Sequence, residues 1–219
     1  MTRPANEGCF LNLMILYPLN SSPYSAAVRI AVYAKNLDIE IVDPPGELGS
    51  TRFHSINALG TIPWLVHGDL VLSESVAILE YLEEMFPEPA LLPGEPYARA
   101  TVRVVQRIAE LGILTPCAEL RRLPETPDAA TGSAKLTRLV RGLASADAYV
   151  SDGSCAVGDR LTLADCQLSV ALSLVRNLVR AGKIPNLLSA RPRLSRYLTT
   201  IEANRDVYRV LGEVDTAQT

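Results

Sequence analysis

Residues 57–82, NALGTIPWLVHGDLVLSESVAILEYL, constrain the fold more than any other stretch of this chain. Ile62 to Val66 is a β-branched and aromatic run with Pro63 near its start. His67-Gly68-Asp69 is a polar turn centred on glycine, and Leu70 to Leu72 is apolar again. Two such runs joined by a short glycine turn predict a β-hairpin. After Ser73-Glu74-Ser75, the apolar residues Val76, Ile78, Leu79, Tyr81 and Leu82 fall at helical spacing, so a helix follows directly. A proline opening an inner strand removes a ladder donor, and X–Pro bonds in such tight places are often cis. The backbone N–H and C=O of Ile62 would then be left for an extended peptide, as in strand addition. The helix start beside Glu74 and Ser75 offers N–H groups and a positive dipole end to a carboxylate. A small peptide carrying a carboxylate would fit between them, although a serine-capped helix after a hairpin also occurs without any ligand.

The rest of the chain falls into order around this unit. A strand at Leu13 to Tyr17 is followed by a loop, Pro18 to Pro23, and a helix from about Ser25 to Lys35 with Ala27, Val28, Ile30, Ala31 and Ala34 on its apolar face. Ile39 to Val42 reads as a second strand ended by Pro44-Pro45-Gly46, and residues 47–56 as a short helix or irregular turn. The resulting βαβ–ββα order is that of a thioredoxin-like domain, here over residues 11–87, with 1–11 as an extension. Pro87, Pro89, Pro93 and Pro96 with Gly94 make 88–96 a semi-rigid linker. Beyond it, 97–219 reads as an all-helical domain, so the fold class is α/β plus all-α. Its helices run over 97–122, with Pro116 kinking the last turns, over 134–150, over 163–179, which is apolar almost all round and should be central, and from Pro192 to Asn204. A chain of 219 residues is long enough to give two such domains buried cores.

Composition excludes several functions. The net charge is −3 and the basic residues are dispersed, so nucleic-acid binding has no electrostatic footprint. Four cysteines without a CxxC, and only His54 and His67, speak for free thiols in a reducing compartment and against a metal site. No stretch is long and apolar enough for a membrane span. Cys9 to Leu19 loosely resembles a signal peptide, but Glu7, Asn12 and Pro18 interrupt it, and the expected location is cytoplasmic.

A thioredoxin-like domain carries its reactive residue after the first strand, at the start of the first helix, where this chain reads Ser22-Pro23-Tyr24-Ser25. Ile62-Pro63 followed by Glu74-Ser75-Val76-Ala77-Ile78 resembles the glutathione-binding half of the glutathione transferase family. Ser22-Pro23 resembles the active-site sequence of its serine-type tau and zeta classes, and Gly158-Asp159 with Thr162-Leu163-Ala164-Asp165 resembles the start of its sixth helix. Together the matching segments span roughly residues 13–205. The resemblance implies glutathione as cosubstrate, no metal, a small-molecule electrophile and a homodimer. It places a catalytic hydroxyl on Ser22, the cysteinyl backbone of glutathione on Ile62 beside a cis Pro63, and the γ-glutamyl end on Glu74 and Ser75. Thr162 and Asp165 take a structural role, a capping box. A second, apolar pocket is implied from the loop after Leu16 and the 97–122 helix, with Arg103 and Arg107 near it. Tyr17 is the rival hydroxyl and Ser21 a second choice; Ser22 could equally be a plain helix cap with Pro23 at the first helical position.

The energetics suit one hydroxyl. Lowering a thiol pKa from about 8.5 by roughly two units requires about 2.7 kcal/mol of preferential thiolate stabilisation. One hydrogen bond to a charged group contributes roughly 1.5–3 kcal/mol and a helix N-terminus roughly 0.3–1 kcal/mol. The family pattern is broken where Thr61 stands two residues before Pro63 in place of Lys or Gln, leaving Arg52, His54 or backbone to hold the glycyl carboxylate. Val76 likewise replaces the arginine of some classes. The expected function is thiolate attack on small hydrophobic electrophiles. Alternatives are a glutathione-dependent cis–trans isomerase of the maleylacetoacetate type and a non-catalytic binding module of the same fold.

Overall fold

Two units organise the chain: the first runs to Pro89 and takes in the chain from Glu213, and the second is Ala90–Gly212. The computed structural model describes residues 13–123 and 129–217. Cys9 and the 1–11 extension lie outside the described residues. The end of the chain departs from the sequence reading of 97–219 as one helical domain by grouping with the first unit. Arg29 shows why: its Nη1 donates to Glu213 Oε2 at 2.7 Å.

In the first unit, β1 (Met14–Tyr17), β2 (Glu40–Ile41), β3 (Trp64–His67) and β4 (Leu70–Ser73) form one sheet in the order β2-β1-β3-β4. β1 and β2 are parallel, and the other neighbours are antiparallel. β2 is shorter than Ile39 to Val42 because Glu40 and Ile41 are exposed at the edge, where little apolar surface holds a longer ladder. The helices are α1 (Pro23–Ala34), α2 (Thr51–Ile56) and α3 (Ser75–Met85). α1 buries Ala26, Ala27, Val28, Ile30 and Ala31 completely and packs against α3. Lys35, just past the end of α1, has a fully buried ammonium. It donates to the Phe86 carbonyl at 2.6 Å and the Pro89 carbonyl at 2.8 Å, and lies 2.6 Å from Glu83 Oε2. A buried charge is tolerable only with such partners, and this one fixes the exit from α3.

The second unit is helical: α4 (Pro96–Arg107), a π-helical segment (Ile108–Leu114), α5 (Thr115–Arg121), α6 (Ala129–Tyr149), α7 (Leu163–Arg180), a short 3₁₀ turn (Leu188–Ala190), α8 (Pro192–Ile201) and α9 (Arg205–Thr216), whose last residues belong to the first unit. α7 is buried from Leu163 through Val175, as an all-round apolar helix must be. The irregularity attributed to Pro116 lies before it, not in the last turns. A proline lacks its N–H and crowds the carbonyl four residues back. The preceding turn widens instead, with the Thr115 N–H donating to the Glu110 carbonyl. Helix α9 is an element that the reading of a helix from Pro192 to Asn204 does not include, and Asn204 is where the two helices divide. It holds a separate turn, its Oδ1 accepting from the Asp206 and Val207 N–H groups at 3.0 and 3.2 Å, which starts a new helix.

Asp165 organises the start of α7. Its Oδ2 accepts from the Thr162 N–H at 2.8 Å and hydroxyl at 2.7 Å, and its Oδ1 accepts from the Ala156 N–H at 2.7 Å and the Tyr197 hydroxyl at 3.0 Å. Burial pushes this carboxyl above its ordinary range, while the four donors pull it back. The Tyr197 phenol is raised far enough, by burial and then by the Asp165 charge, to stay a donor. The capping box is thus part of a buried cluster joining α7, α8 and the 151–161 loop.

Candidate functional site

Register brings the sequence-predicted site residues to one end of the sheet. Tyr17 pairs with Trp64 and Trp64 with Ser73. The loop leaving β1, the Ile62-Pro63 step entering β3 and Glu74-Ser75 leaving β4 therefore all sit at the same edge of three adjacent strands. Those segments carry Ser22, Ile62, Pro63, Glu74 and Ser75.

Ser22 is the N-cap of α1, with Pro23 next to it in the first turn. Its Oγ accepts from the Ser25 N–H at 3.4 Å. Its hydroxyl proton has no acceptor among the described residues, so capping leaves one donor to spare. Ser25 is fully buried, its Oγ accepting from the Leu19 N–H at 3.0 Å, and serves the loop. Arg29 holds the same loop from the other side, donating to Asn20 Oδ1 at 3.0 Å and to the Asn20 carbonyl at 3.3 Å. Tyr17 stacks on Trp64 with ring centroids 4.7 Å apart, and Phe53 meets Trp64 edge-on at 4.7 Å. The rival phenol is thus tied into an aromatic stack on the sheet.

The Ile62–Pro63 bond is cis. Ile62 is partly exposed, and its backbone N–H and C=O bond to no described residue. Asn57, buried at the end of α2, was not singled out in the sequence. Its Nδ2 donates to the Thr61 carbonyl at 2.6 Å, and its Oδ1 accepts from the Leu59 N–H at 3.2 Å and the Ser73 hydroxyl at 2.6 Å. One side chain thereby sets both Thr61, before Ile62, and Ser73, before Glu74. The available signal was an asparagine opening the turn-rich NALGT.

Glu74 is the N-cap of α3, with φ +72°, a conformation that side chains other than glycine avoid. Strain of this kind persists where the surroundings demand it and clusters at ligand sites. Ser75 is buried at the first helical position. Arg52 and His54 project from α2 and are exposed. The His54 ring covers Gly60, which has φ +63° and no room for a Cβ against that ring. Among the described residues no His, Cys, Asp and Glu side chains gather as a metal site, and no helix is long and apolar enough to cross a membrane. Burial raises the Cys117 thiol to about 12 and, with a lesser push from the Asp165 charge, the Cys155 thiol to about 11, so neither is a nucleophile near neutral pH.

Residues 16–90 match the glutathione S-transferase N-terminal domain, and residues 107–204 match the glutathione S-transferase C-terminal domain. Glutathione S-transferase Z2 of Arabidopsis thaliana is 33% identical over 162 residues, covering 70% of this chain and 73% of the relative. The chain belongs to the glutathione S-transferase family. Within this enzyme family the zeta class stands out. Maleylacetoacetate isomerase of Rattus norvegicus is 32% identical over 169 residues, 71% of this chain and 74% of the relative. The solved structure of maleyl pyruvate isomerase, a bacterial zeta-class glutathione S-transferase, superposes with a TM-score of 0.76 at 26% identity, covering 91% of this chain and 97% of that one. The glutathione S-transferase architecture, a thioredoxin-like domain followed by an all-helical one, is the fold expected from the sequence.

Proposed function

We propose that this glutathione S-transferase is a glutathione-dependent cis–trans isomerase of a small conjugated unsaturated acid, the substrate class of the maleylacetoacetate and maleylpyruvate isomerases it resembles. The observation that carries the glutathione half of this reading is the uncommitted backbone pair of Ile62, an edge ready to take a peptide backbone beside an uncommitted serine proton. The residues suit the tripeptide. Ile62 holds its cysteinyl backbone, Glu74 and Ser75 at the start of α3 take the γ-glutamyl end, and Arg52, His54 or backbone N–H groups hold the glycyl carboxylate.

The tripeptide supplies a thiolate that adds to the double bond and leaves again after rotation about the resulting single bond. Ser22 keeps that sulfur anionic by donating its hydroxyl proton as a hydrogen bond, aided by the start of α1. Since the sulfur leaves as it came, the serine is never consumed and needs no general base. The isomerase reading takes precedence over conjugation because isomerases recur among the relatives. A homodimer belongs to the proposal, and the exposed Leu70 and Val71 on edge strand β4 support it.

The fate of glutathione tests the reaction. With maleylpyruvate, substrate should be converted to the trans isomer while free thiol stays constant. Stoichiometric loss of thiol with an electrophile, and no isomerisation, would replace the proposal with conjugation. Glutathione binding has its own readout in Trp64, the only tryptophan, which directly follows Pro63. Its emission should shift on saturation with glutathione.

Glu74→Gly separates ligand binding from folding. Glycine relieves the positive φ, so stability should rise by up to about 1 kcal/mol. Affinity for glutathione should fall by about tenfold, roughly the loss of one charge-assisted contact. Both are measured on the same sample, by thermal melting and by Trp64 emission. A variant that is no more stable and binds as tightly as the parent contradicts the role given to Glu74.

A further inference from the structure

Strands β3 and β4 stop pairing just before the two segments that carry Ile62 and Glu74. Trp64 and Ser73 are the last pair of their ladder, and one step further the register would set Pro63 against Glu74. Pro63 has no N–H to give, and Glu74, at φ +72°, has already turned out of the extended conformation. The backbone ladder therefore cannot fix the distance from Ile62 to the start of α3.

Asn57 spans that gap with its side chain. Its Nδ2 donates to the Thr61 carbonyl at 2.6 Å on one side, and its Oδ1 accepts from the Ser73 hydroxyl at 2.6 Å on the other. The carboxamide fits only one way round, because the Leu59 N–H can only donate to it and the Thr61 carbonyl can only accept from it. The bridge is anchored in turn. Asn57 is 2% exposed, its N–H donates to the Phe53 carbonyl at 3.0 Å, and its own carbonyl accepts from the Gly60 N–H at 2.9 Å. Phe53 is fully buried edge-on to Trp64, so α2 and the first residue of β3 hold the bridge from behind.

We propose that Asn57 is a positioning residue that couples the two halves of the site. It keeps the Ile62 edge at a set spacing from the start of α3, so that a ligand reaching both gains more than one reaching either. This rests on the reading of Ile62, and of Glu74 with Ser75, as the contacts of glutathione. The gain is one of preorganisation: once one end is bound, the second contact forms with little further loss of freedom. Without the bridge each half keeps its own groups, but the spacing between them varies.

Ligands of different reach test this. Glutathione and γ-glutamylcysteine reach both halves, whereas cysteinylglycine lacks the γ-glutamyl end and reaches only Ile62. Their affinities are measured by calorimetry, or by NMR titration where binding is weak, on the parent chain and on N57A, S73A and N57A/S73A. S73A removes one arm of the bridge and leaves the Thr61 bond, and N57A removes both arms. Affinity for the two longer ligands should fall about tenfold in N57A and about threefold in S73A, while that for cysteinylglycine stays within about twofold. Ser73→Ala should cost nothing further in the N57A background, because both substitutions break the same contact. A residue that merely supports the fold would weaken all three ligands alike. Equal losses across the three ligands overturn the coupling, as does an unchanged glutathione affinity in S73A. S73A, which deletes a single hydroxyl, decides the matter by itself where N57A does not fold. A parent chain that binds none of the three overturns the glutathione reading itself, a failure visible before any variant is made.

Discussion

Asp165→Ala is expected to destabilise the protein by about 4 kcal/mol, shifting the folding equilibrium on the order of 1000-fold. A simple capping box would predict less, roughly 0.5–2 kcal/mol. The difference lies in the partners. Removing this carboxylate strands two backbone N–H groups, those of Ala156 and Thr162, and two hydroxyls, those of Thr162 and Tyr197, all around a fully buried position. Buried donors left without acceptors cost roughly 1–3 kcal/mol each, and relaxation of the rotatable hydroxyls recovers part of that. Denaturant unfolding measures the loss. Asp165→Asn should retain part of the stability, because its amide oxygen can still accept on one side of the cluster. A loss below about 1 kcal/mol for the alanine variant would show that the four donors find other acceptors.

The same residue shows what a sequence discloses and what it withholds. Thr162 and Asp165 are three apart and in one turn, so their mutual bond is local and readable. Tyr197 is 32 residues away, and its hydroxyl arrives at Asp165 only through the packing of α8. Periodicity disclosed α1, α3 and the buried α7, because each has a continuous apolar face. It did not disclose the π-helical segment, since one widened turn barely changes the spacing of apolar residues. Nor did it mark the end of the chain as part of the first unit, because interactions such as that of Arg29 with Glu213 join residues far apart in sequence.

At the site, the residues proposed to meet a ligand stand in motifs and were legible: Ser22 at a helix start, Ile62 beside Pro63, and Glu74 before Ser75. The residues that hold those in place were not. Asn57 acts on the Thr61 carbonyl and the Ser73 hydroxyl from the opposite side of a loop, and Arg29 acts on Asn20 from within α1. An asparagine in a turn and an arginine in a helix are common in any domain. Only the fold reveals that both support the segments flanking the candidate site positions. The strain at Glu74 is equally invisible, because nothing in the sequence ESV requires a positive φ.

Ser22→Ala is expected to lower turnover by about 10- to 100-fold on the acidic limb of the pH–rate profile, below the parent's thiol pKa, while leaving glutathione affinity within about threefold. The split follows from the division of labour proposed above. Ile62, Glu74 and Ser75 hold the tripeptide's backbone and ends, whereas Ser22 offers only its spare hydroxyl proton to the sulfur. Losing a hydrogen bond to a charged sulfur forfeits roughly 1.5–3 kcal/mol, which is one to two units of thiol pKa. The thiol would then titrate nearer its ordinary value of about 8.5, so the acidic limb of the pH–rate profile should move to higher pH. At a pH above the shifted value, both enzymes present glutathione as thiolate, and much of the parent rate should return. A merely structural serine would not give that recovery, because a misplaced α1 stays misplaced at every pH. Tyr17→Phe is the companion measurement. Its ring stacks on Trp64, and phenylalanine keeps the stack, so turnover and the pH profile should both stay close to the parent's. An unshifted profile in Ser22→Ala together with an inactive Tyr17→Phe would transfer the thiolate contact to the tyrosine.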